Sequence, residues 1–218
     1  AVVQQAGQVF SNEFQVGSVA VDGSDGYDTD TLTVTQLTGG NVVIGIQRNF
    51  MNAGSDEPVY SIINPSVTPG TAGFAVLSDA EMQQTDTTTF ESPPVITALA
   101  DGRWMAVWCK DGLSDGASMT LQGRIFNANG TPATNELRIG PTATDGNDVY
   151  DTDNITITQL GNGNVVVGYV DTGTTGSRES PFFNIINPSL TPGTAGFAVT
   201  GDIKVNALST SLAAEVGP

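Results

Sequence analysis

Short apolar runs separated by glycine-containing turns recur along the chain. The run 32–37 (Leu-Thr-Val-Thr-Gln-Leu) is followed by the turn 38–40 and the run 41–46 (Asn-Val-Val-Ile-Gly-Ile). The arrangement returns in runs 94–99 and 103–108 around turn 100–102, and in runs 155–160 and 164–169 around turn 161–163. Turns of the Gly-Gly, Asp-Gly and Asn-Gly types accept the positive φ of a tight hairpin, so each pair of runs predicts a β-hairpin. The second run of each pair is nearly continuous in apolar residues, which indicates burial on both faces.

Each predicted hairpin is followed by a loop and two further apolar runs. Third strands are expected at 59–63, 121–126 and 182–186, and fourth strands at 73–76, 135–139 and 196–199. Four antiparallel strands that recur every 61 to 62 residues are typical of propeller blades. We therefore predict an all-β fold of β-propeller-type repeats, with three four-stranded antiparallel blades plus an extra N-terminal strand.

The chain contains one long stretch twice. Residues 27–76 return at 150–199 with a constant offset of 123 residues, whereas the middle unit differs from both. The duplicated element is therefore a pair of blades, which favours an even blade number. Residues 11–17 match 134–140 at the same offset, so the chain opens with the last strand of a preceding blade.

These matches predict four segments within one contiguous repeat domain. Residues 1–26 hold the final strand of a preceding blade and an acidic loop, residues 27–89 form blade 1, 90–149 blade 2 and 150–218 blade 3. Three blades and a spare strand leave unpaired edges that invite further pairing. We expect that the chain is part of a longer protein, or that it completes its ring by strand exchange or self-association.

Composition restricts the possible functions. Among 218 residues, 23 are acidic and seven are basic, for a net charge of −16. This balance argues against nucleic-acid binding, because such binding needs Lys and Arg to displace counterions from phosphate. The absence of histidine excludes Ser-His-Asp triads and Cys-His dyads. The single cysteine, Cys109, lies in an apolar run and is interpreted as a small buried hydrophobe rather than a reactive thiol.

An acidic segment is kept in both copies of the repeat. Four aspartates recur at the same spacing within nine residues, namely Asp22, Asp25, Asp28 and Asp30, and Asp145, Asp148, Asp151 and Asp153. Calcium takes six to eight oxygen ligands from loops of this kind, so Ca²⁺ is the candidate ion. The alternative is a solvated turn in which aspartates cap backbone amides.

A second repeated feature is a loop of the form Asn-Pro-Ser-x-Thr-Pro-Gly-Thr. It carries the polar side chains of Asn64, Ser66 and Thr68, and of Asn187, Ser189 and Thr191. Two prolines restrict φ, so the loop should be rigid. A rigid polar loop suits glycan binding because a preorganised site loses less entropy, but a rigid connector between strands serves packing equally well.

Two further constellations are candidates for carbohydrate chemistry. Trp104 and Trp108 lie on one face of the same predicted strand, where they either stack on a sugar or pack in the core. Glycoside hydrolysis requires a pair of carboxylates. The candidate pairs are Asp28 with Asp30 and Asp151 with Asp153.

The middle unit resembles a known repeat. It combines an apolar strand, an Asp-Gly turn and a strand ending in tryptophan at 94–108 with a Phe and an Asn-Gly turn at 123–132 and a Glu-containing strand at 135–139. In this it is similar to the repeats of RTX-type adhesins and related calcium-dependent surface proteins of bacteria. The resemblance implies propeller-like arrays in adhesive or structural regions, an extracellular location and no catalytic residues. The Gly-Gly-x-Gly-x-Asp calcium repeat of RTX proteins is absent from this chain.

These observations lead to one expectation and two alternatives. We expect an extracellular structural or adhesive repeat module without enzymatic activity, with calcium as a candidate stabilising ion and glycans as candidate partners. The first alternative is a carbohydrate-binding propeller lectin, and the second is a glycoside hydrolase. No apolar run approaches the length that spans a membrane.

Overall fold

The computed structural model describes residues 16, 25–50, 55–84, 91–110, 120–139, 154–171 and 180–205. For residues 25, 27–31, 49, 50, 55 and 171 the description is limited to the backbone. All regular structure in the described ranges is β-strand, which confirms the predicted all-β class. No helix in this part of the chain is long and apolar enough to cross a membrane.

Twelve strands occur in the described residues and form three four-stranded antiparallel sheets. Blade 1 consists of β1 (Asp25–Gln36), β2 (Val42–Phe50), β3 (Ser55–Ile63) and β4 (Ala75–Glu81). Blade 2 consists of β5 (Val95–Ala98), β6 (Trp104–Lys110), β7 (Thr120–Phe126) and β8 (Leu137–Ile139). Blade 3 consists of β9 (Thr156–Gln159), β10 (Val165–Asp171), β11 (Ser180–Ile186) and β12 (Ala198–Lys204). Within each sheet the strands pair in chain order, as predicted.

The predicted hairpin turns are confirmed by their backbone geometry. Gly40, Gly102 and Gly163 close the three first hairpins with φ of 91°, 91° and 88°. An L-residue with a side chain rarely adopts these values. Several strands are longer than the apolar pattern indicates: β1 begins at Asp25 rather than Leu32, and β2 continues to Phe50. Backbone pairing in these extensions continues beyond the apolar residues.

The first strands of the three blades lie side by side. β5 contacts both β1 and β9, and Thr33 Oγ1 on β1 donates a hydrogen bond of 2.9 Å to the carbonyl of Pro94 at the start of β5. Blades that meet along their first strands and pack face to face are the arrangement of a propeller, in which these strands surround the axis. The predicted fold class is thereby confirmed.

Two apolar layers hold the blades together. Between blades 1 and 2, Trp104 and Phe126 stack with ring centroids 4.2 Å apart, and Tyr60 of blade 1 meets the Trp104 ring edge-on at 4.9 Å. Between blades 2 and 3, the opposite side of β6 contributes Met105 and Cys109. Trp104, Trp108 and Cys109 are completely buried. Their interpretation as core residues is confirmed, and neither tryptophan is open to stack on a sugar.

Two predictions about organisation stay predictions. Of the expected N-terminal strand at 11–17, only residue 16 belongs to the described part of the chain. The proposed segment boundaries at 26, 89 and 149 fall near or within ranges that lie outside the description.

Candidate functional site

Two of the candidate aspartates lie on an irregular part of β1, the innermost strand of blade 1. On β1, Tyr27 pairs with Arg48 and Leu32 pairs with Ile46, so residues 28–31 stand opposite the single residue Gln47. This interval contains Asp28 and Asp30. Bulges interrupt strand pairing and are frequent next to active sites, where they redirect side chains.

Gln47 connects this bulge to blade 2. Its side chain is buried, and its amide Nε2 donates a hydrogen bond to the backbone carbonyl of Glu91. The amide of Glu91 in turn donates to the carbonyl of Asp56 on β3, at 3.2 Å. Glu91 belongs to the segment that leads into β5, the innermost strand of blade 2. Hydrogen bonds therefore join the entry of blade 2 to β2 and β3 of blade 1, next to the bulge.

A buried ion pair anchors the same segment. Lys110 Nζ, at the end of β6, lies 3.1 Å from Glu91 Oε1, and the two side chains are 4% and 0% exposed. Lys110 Nζ also lies 3.9 Å from Glu136 Oε2 and donates to Gln83 Oε1 at 3.4 Å. Burial of a charged pair is tolerated when further hydrogen bonds surround it, as they do here.

The environment of Glu91 shifts its acidity. Burial raises the pKa of the Glu91 carboxyl from 4.5 to about 7, although the neighbouring Lys110 ammonium acts in the opposite direction. Glu136 and Glu57 raise this pKa further by charge repulsion. A carboxyl with a pKa near 7 suits general acid catalysis. However, the Glu91 side chain is completely buried against Lys110, so it can hold this segment in place but cannot contact a substrate in this arrangement.

Sequence reasoning did not identify Glu91 and Lys110 because neither belongs to the repeated stretch. The available signal was a basic residue, Lys110, directly after the apolar residues 104–109, in a chain with only seven basic residues. A charged residue that continues a fully buried strand requires a buried partner. That partner could not be assigned from spacing alone, since Glu91 precedes Lys110 by a full hairpin.

The two Asn-Pro-Ser loops lie at the opposite end of the blades, where the third strands end. In blade 1, Asn64 Oδ1 accepts a hydrogen bond from the amide of Ser66 at 3.0 Å, and Thr71 Oγ1 donates to the carbonyl of Thr68 at 2.6 Å. The same bonds recur in blade 3, where Asn187 Oδ1 accepts from Ser189 and Thr194 Oγ1 donates to Thr191. The predicted rigidity thus has a local cause, because side chains close each loop on itself.

The loop of blade 3 borders a groove shared with blade 2. Ser189 and Thr191 line this space of about 480 Å³ together with Arg103 and Thr134. Arg103 is held in place by Asp101, whose Oδ2 accepts hydrogen bonds from its Nε at 2.9 Å and its Nη2 at 2.7 Å. The Arg103 guanidinium lowers the pKa of Asp101. The groove and the two loops therefore lie at the end of the blades opposite the start of β1.

The predicted calcium ligands lie beyond what the structure describes. Asp25, Asp28 and Asp30 are described by their backbone alone, and the remaining five fall outside the described residues: Asp22, Asp145, Asp148, Asp151 and Asp153. Within the described residues no cluster of three or more acidic, cysteine or histidine side chains could hold a metal. Calcium binding stays a prediction.

Comparison with solved structures supports the propeller fold. The endo-arabinase from Bacteroides thetaiotaomicron VPI-5482 is similar with a TM-score of 0.53 and 12% identity, over 87% of this chain and 66% of that chain. A family 117 glycoside hydrolase from the marine bacterium Zobellia galactanivorans has a TM-score of 0.46 and 10% identity, over 88% of this chain and 59% of that one. This chain thus spans about two thirds or less of the length of each. No protein-family model matches the sequence, and no curated protein is similar to it.

These comparisons correct three predictions. The resemblance to RTX-type adhesins is wrong, because the solved structure that is similar with a TM-score above 0.5 is an endo-arabinase. The features that suggested it have structural causes, since Trp104 and Trp108 fill the core and Gly102 closes a hairpin. The expectations of a structural or adhesive module and of no enzymatic activity are wrong for the same reason. The expected extracellular location stays a prediction.

Proposed function

We propose that this chain forms part of a glycoside hydrolase, and that the acidic segments leading into its innermost strands supply the catalytic carboxylates. The candidates are Asp28 and Asp30, on the bulge of β1, and their repeat counterparts Asp151 and Asp153, which precede β9 in the sequence. The observation that carries the proposal is the position of this bulge on an innermost strand, next to the entry of the following blade.

The topology brings these entries to one end of the molecule. Thr33 bonds Pro94 at the start of β5, and Thr38 lies beside Gly102 beyond its end, so β1 and β5 run in the same direction. The end of β9 likewise lies beside the end of β5, where Gln159 Oε1 accepts a hydrogen bond from the amide of Ala100. Adjacent contacts of β5 with β1 and β9 then bring the three entries together near the axis. Ligands of closed β-structures commonly bind at such an open end, between loops that a rigid scaffold positions.

Paired carboxylates provide the chemistry that glycoside hydrolysis requires. One carboxylic acid protonates the leaving glycosidic oxygen, while the other carboxylate activates water or attacks the sugar carbon. The network around Gln47 and Glu91 has a supporting role in this proposal. It fixes the bulge of β1 against the entry of blade 2, since catalytic groups need to be held within a fraction of an ångström.

The similarity to an endo-arabinase suggests arabinan as the first substrate to test. We expect the purified protein, assayed over a panel of arabinan and other polysaccharides, to release new reducing ends from at least one substrate. Replacing both Asp28 and Asp151 by Asn should abolish this release. Removing an essential catalytic group typically lowers kcat by a factor of the order of 10⁴ or more.

A matched control distinguishes catalysis from a general effect of charge removal. Asp101→Asn removes an aspartate at the opposite end of the blades, where it pairs with Arg103, and should leave hydrolysis unchanged. Absence of hydrolysis on the whole panel, or full activity in the double variant, would contradict the proposal. Glycan binding without hydrolysis would favour a lectin instead, and loss of that binding in Ser189→Ala with Thr191→Ala would place it in the groove.

A further inference from the structure

The two copies of the repeated stretch bury the same positions differently. Leu32 in blade 1 is 59% exposed, whereas Ile155, its counterpart 123 residues later in blade 3, is 6% exposed. The reverse holds on the other side of the sheet, where Leu37 is 2% exposed and its counterpart Leu160 is 37% exposed. A face that is exposed in one copy is thus covered by blade 2 in the other copy. The covered copy shows how the exposed face packs when a neighbouring blade is present.

The distal face of blade 1, which points away from blade 2, is built like an interface. Ile44 and Ile46 are half-buried there, next to the exposed Leu32 and Val34. In blade 3 the corresponding face packs on blade 2, and the counterparts Val167 and Tyr169 are 0% and 3% exposed. A contiguous row of apolar side chains on a sheet, at positions that the other copy buries, indicates an interface rather than a solvated surface.

The distal face of blade 3 also points away from blade 2, and its counterpart in blade 1 is the face that packs on blade 2. Val166, Phe183 and Ile185 are half-buried on the distal face of blade 3. Their counterparts in blade 1 are Val43, Tyr60 and Ile62, which are buried against the tryptophan face of blade 2.

A pair of glycines supports this reading. A Cβ atom on Gly45 would lie 2.6 Å from Ile96 Cδ1 and 3.0 Å from Pro94 Cγ of blade 2, and 2.9 Å from Thr33 Oγ1 of its own blade, so the innermost strand of blade 2 approaches closely at this glycine. A Cβ atom on its counterpart Gly168 would meet Thr156 Oγ1 of its own blade at 2.7 Å and no atom of another blade within 4 Å. The space for an approaching innermost strand is therefore kept on the distal face of blade 3.

We infer that both distal faces are docking interfaces for a four-stranded sheet of the blade 2 type. Blade 3 would receive the face of such a sheet that corresponds to Trp104, Trp108 and Phe126. Blade 1 would receive the opposite face, which corresponds to Met105 and Cys109. A second copy of this chain offers neither surface, because both faces of its own blade 2 are covered.

This inference predicts which added sheet protects the distal face of blade 3. The test joins a further copy of residues 90–149 to the C-terminus of the full chain and, as the control, a further copy of residues 27–89. Leu160→Cys is introduced into all three proteins, and the added blade 2 copy also carries Cys109→Ala, because its own Cys109 lies on the face that would stay uncovered. Labelling at position 160 by a thiol reagent is then measured while the native Cys109 stays buried. We expect labelling to slow by at least about tenfold with the blade 2 copy alone, as for a site that reacts after local opening.

Every other outcome counts against the inference. Equal protection by the blade 1 copy would show that the face does not select a blade 2 sheet. Slow labelling in the unextended chain would show that the face is already covered, by the chain's own residues if the particle is monomeric and by a second copy if it is dimeric. Hydrogen exchange of 155–160 and 32–37 in the unextended chain gives a readout that needs no substitution. We expect faster exchange around Leu160 than around Leu37, and the opposite order would overturn the inference.

Discussion

The side-chain amide of Gln47 donates a hydrogen bond to the backbone carbonyl of Glu91, and this bond joins the acidic bulge of β1 to the entry of blade 2. Gln47 and Glu91 are both buried, at 2% and 0% exposure. The relationship links blade packing to the position of the proposed catalytic carboxylates.

Gln47→Leu should weaken both stability and hydrolysis. Leaving a buried carbonyl without its donor costs about 1–3 kcal/mol, which urea unfolding can measure. As a positioning residue, Gln47 should affect kcat more than KM. The control is Gln122→Leu. It also removes a buried glutamine, but the side chain of Gln122 bonds Thr120 within blade 2 rather than the segment next to the bulge. An equal loss of kcat in both variants would indicate a general loss of packing rather than a displaced bulge.

Lys110→Met should destabilise the protein in a pH-dependent way. Removing one partner of a buried ion pair costs about 3–5 kcal/mol when the other remains charged. Lys110 lowers the pKa of Glu91, so in its absence Glu91 takes up a proton more readily and the cost should be smaller at pH 5 than at pH 8. The exposed Lys204→Met serves as the control. A cost that is the same at both pH values would contradict the pairing.

Glu91→Gln tests the raised pKa directly. Because the Glu91 carboxyl titrates at about 7 in the folded protein and near 4.5 in the unfolded chain, the folded state holds more protons between these values. The stability contribution of this group is therefore present below pH 4.5 and is lost as the pH rises to about 7. When unfolding free energies are measured from pH 4 to 8, the value for the wild type should fall relative to that of the variant as the pH rises through this window.

Trp104→Phe should cost more than Trp108→Phe. Trp104 Nε1 donates to the carbonyl of Asn127 at 3.0 Å, whereas Trp108 Nε1 is buried without a hydrogen-bond partner. Both changes remove similar volume, so the difference reports the hydrogen bond, which contributes about 0.5–1.5 kcal/mol. Chemical denaturation of the two variants measures it. Equal costs would contradict this assignment.

Gly45→Ala and Gly168→Ala form a matched pair across the repeat. The first introduces a methyl group against Pro94 and Ile96 of the neighbouring blade and should cost about 1–3 kcal/mol by overpacking. The second meets the Thr156 hydroxyl of its own blade, as the first meets that of Thr33, but it meets no neighbouring blade and should cost less. Thermal unfolding of the two variants decides between them, and a larger loss for Gly168→Ala would contradict the packing described here.

Much of the fold could be predicted from local pattern. The turn at Gly102 and the strand in 103–108 are determined by the conformational preferences and hydrophobicity of adjacent residues, so the local sequence is enough to predict them. Strand ends were predicted less well, because the extension of β1 to Asp25 depends on pairing with Phe50 rather than on hydrophobicity.

The functional site was harder to predict for a physical reason. The aspartates at 28 and 30 were visible as a repeated motif, but the bulge that carries them arises from an unequal number of residues on β1 and β2. The pairing of Glu91 with Lys110 depends on how the strands meet in space. The adhesin resemblance was misleading because tryptophan in a central strand satisfies core packing in any blade.

Hydrogen exchange with bound glycan tests the central claim most directly. The measurement uses the variant that carries both Asp28→Asn and Asp151→Asn, to prevent turnover, with an oligosaccharide of the polysaccharide that the wild type hydrolyses. We expect slower exchange in 25–36 and in 91–98, where the innermost strands begin, and no change in 187–196. Protection confined to 187–196 and 131–135 would place the glycan in the groove at the opposite end and contradict the proposed active site.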